Sequence, residues 1–395
     1  MNAINYNDTS FFDLPGNAFL IDIGNETLAV TCKHTLWVNS PKDLSNVDLS
    51  GELKTWKMVV PNDSSQYVIL GDLVNTDSME MIGEQNIDED FLVFKIKENY
   101  SSIVPLKISN KLVQSGDTVY QQGWSFQFKN EPPRAYPAQT VQYYGASLLV
   151  NSLVNHNGAG LSGSPVLSSN NKLLGIVSSW KYHLPDSTWH EAICSTDYLW
   201  IVLYKYWIKE NKLGQDIETF NLFLQSYESK NYSKPEISSY VLTKLFYKDV
   251  KNKSIENYKK WIDNTEKKYG NKILMDSYQK SILIFETWKN KYLQNKTSLE
   301  NLTVELKKEN VTYPEMLVFF NFSQELIDLK KPELAIELLL FTDTIHQHAG
   351  QLYAFIGDAY KARGDKIKAK KYYQKCLITY PSFPQAVKGL KSLGN

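Results

Sequence analysis

The sequence has few cysteines. Its 395 residues include only Cys32, Cys194 and Cys376, and none of them forms a pair with metal-ligand spacing. A disulfide framework needs more cysteines in a shorter chain, so that class of secreted domain is excluded. We interpret each thiol as a small buried hydrophobic group, which favours a protein of a reducing compartment.

The sequence also lacks a long hydrophobic run. The best candidate, Tyr198 to Tyr204, stops at Lys205, whereas a membrane span needs about 18 apolar residues. The first 15 residues carry no Lys or Arg and no long apolar core, so no secretory signal is expected. A hydrophobic content of 43% excludes a disordered chain. We therefore predict a soluble, cytoplasmic protein.

The net charge is also zero, but basic and acidic residues are distributed unevenly along the chain. Residues 1–200 hold 12 basic and 21 acidic side chains, and residues 201–395 hold 31 and 22. The halves therefore carry about −9 and +9 charges. This indicates two domains that either dock on each other or leave the basic half for an acidic partner.

The first half has the pattern of β-structure. Short apolar runs alternate with spacers rich in Asn, Asp, Ser, Gly and Pro, which is typical of a sandwich or barrel. The predicted strands are Asn17–Ile23, Thr27–Thr31, Met58–Val60, Tyr67–Leu70, Phe91–Ile96, Thr118–Gln122, Thr140–Tyr144, Pro165–Leu167 and Leu173–Val177.

The pattern changes near Thr196, where apolar residues begin to recur at steps of three and four, as in helices. Helix hairpins in series indicate a bundle or solenoid. The predicted helices are Asp216–Tyr227, Ile237–Lys248, Ser254–Lys268, Ile273–Lys291, Leu299–Glu309, Glu315–Leu329, Glu333–Asp343, Gly350–Arg363, Lys366–Ile378 and Gln385–Leu393.

Three local patterns in the first half occur in the order His, Asp, Ser. His34 ends a strand-to-turn segment, Asp90 precedes an apolar strand, and Ser162 lies in a turn bounded by glycines. A serine hydroxyl needs a base to take its proton and an acid to orient that base. The N–H groups of Gly160 and Ser162 would stabilise the oxyanion. The acid is the least certain member, because Asp88 and Glu89 precede Asp90.

These residues resemble the trypsin-like (chymotrypsin-fold) serine peptidases. Residues 160–165, Gly-Leu-Ser-Gly-Ser-Pro, are similar to the family's G-D-S-G-G-P, residues 30–34 to its V-T-A-A-H, and residues 90–93 to its D-I-A-L. The resemblance implies an all-β double-barrel peptidase domain over residues 1–205. Thr35 and Leu161 replace the family's Cys and Asp, so neither the local disulfide nor activation by N-terminal clipping is expected.

The resemblance also implies a substrate cleft. Ser178 would support the catalytic Asp, His156 and Asn157 would lie near the pocket floor, and Trp180 would lie on its wall. Trp180 could narrow the pocket for small side chains, or His156 could suit an acidic one. The alternative is that both side chains only pack.

The end of the chain contains a 34-residue pattern. Tyr353-x2-Ile-Gly-x2-Tyr is followed by Ala369-x3-Tyr and Pro381, and this resembles the tetratricopeptide repeat. Ala335 lies 34 residues before Ala369, so residues 316–395 are predicted to hold two repeats. Residues 206–315 are predicted to form a helical bridging region, with divergent repeats as an open alternative. The lysine-rich faces are interpreted as solvated, without nucleic acid or membrane as a partner.

The sequence therefore predicts a serine endopeptidase whose helical repeats recruit a protein substrate or partner, or gate activity. This chemistry needs no metal and no cofactor. The architecture alone suggests a bacterial stress or defence system. Two alternatives stay open: a non-catalytic binding scaffold on a peptidase fold, and a scaffold whose peptidase only processes itself.

Overall fold

A computed structural model describes the chain in two compact units. The described residues are 1–6, 11–13, 16–35, 53–75, 88–128, 130–156, 158–183, 186–247, 254–270, 272–314, 316–345, 350–379 and 383–394. Unit 1 comprises Met1–His183 and Thr188–Leu283, and unit 2 comprises Leu184–Ser187 and Ile284–Asn395. The domain boundaries expected at residues 205 and 315 remain predictions.

Unit 1 contains two large β-structures. The first is an eight-stranded sheet in the order β2-β1-β5-β6-β7-β4-β3-β8, and the second is a closed barrel in the order β10-β11-β14-β13-β12-β9. The strands of the sheet are β1 Asn2–Tyr6, β2 Phe11–Asp13, β3 Phe19–Asp22, β4 Thr27–Cys32, β5 Leu53–Val60, β6 Asp63–Leu73, β7 Phe91–Asn99 and β8 Leu106–Lys107. Those of the barrel are β9 Thr118–Gly123, β10 Arg134–Tyr144, β11 Ser147–Ser152, β12 Pro165–Leu167, β13 Leu173–His183 and β14 Thr188–Ser195.

Turn residues and alternating burial explain these strands. Asn62 turns β5 into β6 with φ 65°, and Asn171 turns β12 into β13 with φ 58°, a conformation that asparagine tolerates well. Side chains of β9 alternate between buried and exposed positions, as a half-buried strand requires. Trp56 is buried in a hydrophobic cluster of the sheet, and Val119 is buried in a hydrophobic cluster of the barrel.

Helices follow the barrel along the chain, first in unit 1 and then in unit 2. They are α1 Thr196–Asn211, α2 Ile217–Glu228, α3 Ser239–Leu245, α4 Ile255–Tyr269, α5 Ser277–Leu293, α6 Leu299–Lys308, α7 Met316–Asp328, α8 Pro332–Ile345, α9 Leu352–Ala362, α10 Lys366–Thr379 and α11 Pro384–Ser392. A short parallel pair, β15 Ile237–Ser238 and β16 Ile273–Leu274, lies among them. This order confirms the predicted β-then-α architecture.

Helix α1 explains the strongest apolar run of the sequence. The Ser195 side chain accepts a hydrogen bond from the Asp197 N–H and caps the helix. Every residue from Tyr198 to Tyr204 is buried, and they share one hydrophobic cluster with Phe91 of β7. Within the described ranges, no helix combines the length and hydropathy that crossing a membrane requires.

In unit 2, small residues let the helices approach closely. Gly357 of α9 lies against the ring of Tyr373 of α10, and a Cβ at Gly357 would come within 2.6 Å of that ring. Ala369 is fully buried at the same crossing. The aromatic and small positions of the repeat therefore pack against each other. Pro381 lies outside the described residues.

Candidate active site

Strand pairing brings His34 and Asp90 together. Strands β4 and β7 are antiparallel, and Cys32 at the end of β4 pairs with Phe91 at the start of β7. His34 lies two residues beyond β4, and Asp90 lies immediately before β7. The N–H of Lys33 donates to the carbonyl oxygen of Asp90 at 2.8 Å, which extends this pairing by one further bond.

The Asp90 carboxylate is buried and fully engaged. One oxygen accepts the His34 backbone N–H at 3.0 Å, and the other accepts the His34 Nδ1 at 2.7 Å and the Ser178 hydroxyl at 2.5 Å. Because an ionised carboxylate only accepts hydrogen bonds, Nδ1 carries the proton in the neutral imidazole. The lone pair of a neutral His34 therefore lies on Nε2.

The charge state of His34 reflects two opposing effects. Burial opposes the imidazolium, but the charges and hydrogen bonds of Asp90 and Cys32 outweigh it and raise the pKa of His34 well above its ordinary value. The Cys32 Sγ lies 3.8 Å from Nε2 and 2.8 Å from the Thr35 hydroxyl. The site thus favours positive charge on the imidazole, as an imidazolium intermediate requires.

Ser162 lies in a turn that is joined to β13. Gly160 and Gly163 on either side adopt φ angles of 91° and 76°. The Gly163 N–H donates to the carbonyl oxygen of Val177, and the Val177 N–H donates to that of Ser164, both at 2.9 Å. Val177 directly precedes Ser178, the partner of Asp90. The turn and the His34–Asp90 pair therefore attach to adjacent positions of one strand.

Two backbone donors of this turn are available. Among the described residues, neither the Gly160 N–H nor the Ser162 N–H donates a hydrogen bond to another residue. The Ser162 side chain is half-buried. Within the same ranges, no hydrogen bond joins its hydroxyl to the imidazole of His34. Catalytic hydrogen bonds are often long in the absence of substrate.

Asn17 holds the turn from the other side, and the sequence analysis did not find it. Its N–H donates to the Ser162 carbonyl at 2.7 Å, and its side-chain amide donates to the carbonyls of Gly160 at 2.7 Å and Trp124 at 3.0 Å. The neighbouring Gly16 is the one sequence feature that indicates this contact. It has φ 72°, and a Cβ at this position would lie 2.7 Å from the Ser162 carbonyl oxygen.

The expected pocket residues fall into different surroundings. His156 stacks on Tyr136 at 4.6 Å between ring centroids, and its Nε2 lies 3.9 Å from a carboxylate oxygen of the buried Glu191. Trp180 pairs with Glu191 across β13 and β14 but is 57% exposed. Asn157 lies outside the described residues. The roles assigned to these side chains remain predictions.

One group of side chains at the site has the donor set of a metal centre. Cys32, His34 and Asp90 each place one ligand atom within 4.8 Å of the others. Thiolate, imidazole and carboxylate are the ligands that Zn²⁺ commonly takes in proteins. Two of the three, His34 and Asp90, are also members of the candidate triad.

Comparison with known proteins gives a different kind of match for each half of the chain. Residues 350–381 match the family model described as tetratricopeptide repeat. That match confirms the predicted repeat. No curated protein sequence matches the chain.

The N-terminal part is similar to solved structures of serine proteases. The active form of the Rv3671c protease from M. tuberculosis is 12% identical, with a TM-score of 0.33, over 55% of this chain and 82% of that one. A Glu endopeptidase is 12% identical, with a TM-score of 0.34, over 48% and 90%. Deg5 is 14% identical, with a TM-score of 0.30, over 47% and 88%. Similarity this low carries no functional argument, so function depends on the site itself.

Proposed function

We propose that unit 1 is a serine endopeptidase. Ser162 attacks the scissile carbonyl, and His34 takes its proton at Nε2 and then returns it to the leaving amine. Asp90 holds the imidazole in the required tautomer and stabilises its charge. The N–H groups of Gly160 and Ser162 stabilise the oxyanion, which is typically worth about 3–4 kcal/mol per donor. Water then hydrolyses the acyl-enzyme.

The observation that carries this proposal is the buried Asp90 carboxylate, which accepts both His34 Nδ1 and the Ser178 hydroxyl. A buried charge needs such partners, and the bond to Nδ1 orients the imidazole so that Nε2 is the nitrogen that acts as the base. The glycine turn with its unused N–H groups supports the same assignment. Asp88 is a less suitable acid, because it is paired with Lys181 at 3.6 Å.

Unit 2 contains a tetratricopeptide repeat, which suggests protein–protein interaction. We propose that this unit recruits a protein substrate or partner, or gates the peptidase. Attachment of a binding module raises the local concentration of substrate without any change in the cleft.

The test is labelling of the full chain with a fluorophosphonate, which reacts with an activated serine. Wild type should become labelled, and Ser162→Ala and His34→Ala should not. Two glycine variants of one loop test the oxyanion assignment. Gly160→Ala should label at least tenfold more slowly, since its φ is 91° and a Cβ would lie 2.7 Å from the Phe126 nitrogen. Gly158→Ala is the control, because a Cβ there meets no atom within 4 Å.

The competing function is a non-catalytic binding scaffold. The lack of a hydrogen bond between Ser162 and His34 in the described ranges favours it. Labelling of wild type only in the presence of cell lysate would indicate a peptidase gated by a partner. No labelling under either condition would leave the scaffold as the better assignment.

A further inference from the structure

Cys32 has no part in the proposed reaction, yet its thiol faces the catalytic base. Its Sγ lies 3.8 Å from His34 Nε2, and one ligand atom of each of Cys32, His34 and Asp90 lies within 4.8 Å of the others. Two ligands bound to one tetrahedral zinc ion through sulfur and nitrogen lie about 3.6 Å apart. The observed separation of 3.8 Å is therefore close to the distance that a shared metal ion would impose.

The neighbouring hydrogen bonds select the correct nitrogen for such an ion. Asp90 accepts the His34 Nδ1–H at 2.7 Å, so in the neutral imidazole the lone pair lies on Nε2, the nitrogen 3.8 Å from the thiol. Metal-binding histidines are usually oriented in this way by a carboxylate on their other nitrogen. Asp90 is itself part of the three-residue donor group, so it can serve as the outer carboxylate or as a third ligand.

We propose that Cys32 and His34, supported by Asp90, form an inhibitory site for Zn²⁺ or a similar thiophilic cation. On binding, the thiol releases its proton to solvent, an imidazolium likewise releases its Nε2 proton to solvent, and the thiolate and Nε2 coordinate the ion. Metal binding depends only on this geometry, whereas the inhibition rests on the proposed peptidase function. Nε2 is the atom that must take the Ser162 proton, so an ion bound there stops the reaction.

Access to the site comes through the imidazole. Cys32 is fully buried, while the side chain of His34 is 14% exposed. An ion therefore reaches the buried thiol past the partly exposed imidazole. Water or the Thr35 hydroxyl, which lies 2.8 Å from Sγ, can complete the coordination. Substrate bound over His34 would compete with the metal for the same face.

The binding test uses the full chain, freed of metal, and Co²⁺ as a spectroscopic probe. A thiolate bound to Co²⁺ gives a charge-transfer band in the near ultraviolet, so binding is seen without any activity. Wild type should show the band, and Zn²⁺ should abolish it. Cys32→Ala and, as a second substitution, Cys32→Ser should weaken binding at least tenfold. Cys376→Ala is the control, because it removes another buried thiol in unit 2 and should retain the band.

Cys194 provides the sharper comparison. This second buried thiol accepts the Asp90 N–H at 3.4 Å, so it lies near the same carboxylate. A band that survives Cys32→Ala and disappears in Cys194→Ala would overturn the proposal, as would the absence of any band in folded wild type.

The inhibition test compares each protein with itself. The fluorophosphonate labelling rate with Zn²⁺ is divided by the rate of the same variant without metal. This ratio should fall at least tenfold in wild type and stay near one in Cys32→Ala. Equal inhibition of both proteins would contradict the proposal. If metal-free wild type is not labelled, the peptidase proposal fails, and the Co²⁺ band still decides whether the metal site exists.

Discussion

At the residue scale, one buried amide fixes the conformation of the turn that holds Ser162. The Asn17 side chain donates to the carbonyls of Gly160 and Trp124, and its Oδ1 accepts the Trp124 N–H at 3.0 Å. The Gly160 carbonyl and N–H belong to adjacent peptide planes. A bond that fixes this carbonyl therefore limits the rotation of the oxyanion donor.

Asn17→Asp tests this role with almost no change of shape. The carboxylate would face two carbonyl oxygens to which the amide now donates, so the turn should lose its alignment. We expect the maximal rate of fluorophosphonate inactivation to fall about ten- to a hundredfold, while the apparent affinity for the reagent changes little. The measurement is the dependence of the labelling rate on reagent concentration, at a temperature where circular dichroism shows a folded protein.

The matched control is Asn5→Asp. Asn5 lies in the same unit, and its amide donates to the hydroxyl of Thr55 at 2.9 Å. A hydroxyl can reverse its role and donate to a carboxylate, so labelling should remain at the wild-type level. A parallel loss in both variants would indicate a general defect of folding instead of a positioning role for Asn17.

The distance along the chain explains which residues the sequence reveals. The His34, Asp90 and Ser162 patterns are local, since each combines a functional side chain with the strand or turn next to it. The contact of Asn17 with Gly160 joins residues 143 positions apart, so no local pattern indicates it. The thiol of Cys32 is different: it lies only two residues before His34, but its spacing to other cysteines shows no metal motif.

At the scale of the element, α1 carries a buried acid in its first turn. Asp197 is 2% exposed, and one of its carboxyl oxygens has no hydrogen-bond partner among the described residues. Burial, together with the nearby charge of Asp276, raises the pKa of Asp197 to about 7. The folded state therefore binds this proton more tightly than the unfolded state does, so the group costs stability as pH rises.

We expect Asp197→Asn to remove a pH dependence of stability. The unfolded carboxyl ionises near pH 4 and the folded one near pH 7. Between these values the group lowers the free energy of unfolding of wild type by about 1.4 kcal/mol per pH unit. The variant should have a higher urea midpoint than wild type at pH 8, and this difference should shrink toward pH 5. Tryptophan fluorescence during urea unfolding measures the midpoints.

The control for this prediction is Asp263→Asn, which changes an exposed aspartate of α4 in the same unit. Its midpoint should follow the wild-type pH dependence. If the midpoint of Asp197→Asn also follows the wild-type pH dependence, the buried carboxyl does not lower stability as pH rises, and the prediction is wrong.

Element boundaries were predictable where periodicity and caps agree. The predicted helix Lys366–Ile378 corresponds to α10, Lys366–Thr379, and the predicted Asp216–Tyr227 begins at the Asp216 cap of α2. Helix α1 was not predicted, because a helix buried on all sides loses its amphipathic period. Strand β14 was also not predicted, since its Trp, His, Glu and Cys residues do not form an apolar run.

At the scale of the whole molecule, the chain divides into two compact units. The large hydrophobic cluster of unit 1 extends from the barrel strands through α1 to α4 and ends at Leu283. The core of unit 2 is built from helix crossings such as that of Gly357 with Tyr373. We expect a substitution at the Gly357 crossing to act first on unit 2. This modularity provides a way to test the proposed division of labour.

Gly357→Val tests whether unit 2 can be destabilised without a change in the labelling of Ser162. The added side chain must displace the Tyr373 ring, and overpacking of this kind costs about 1–3 kcal/mol. We expect the thermal transition of unit 2 to fall by several degrees, while Ser162 is labelled at the wild-type rate. The control is Ala362→Val, at an exposed position of the same helix. If unit 2 recruits substrate, cleavage of that substrate should slow in Gly357→Val although labelling does not. A matching fall in labelling would show instead that unit 2 gates the peptidase.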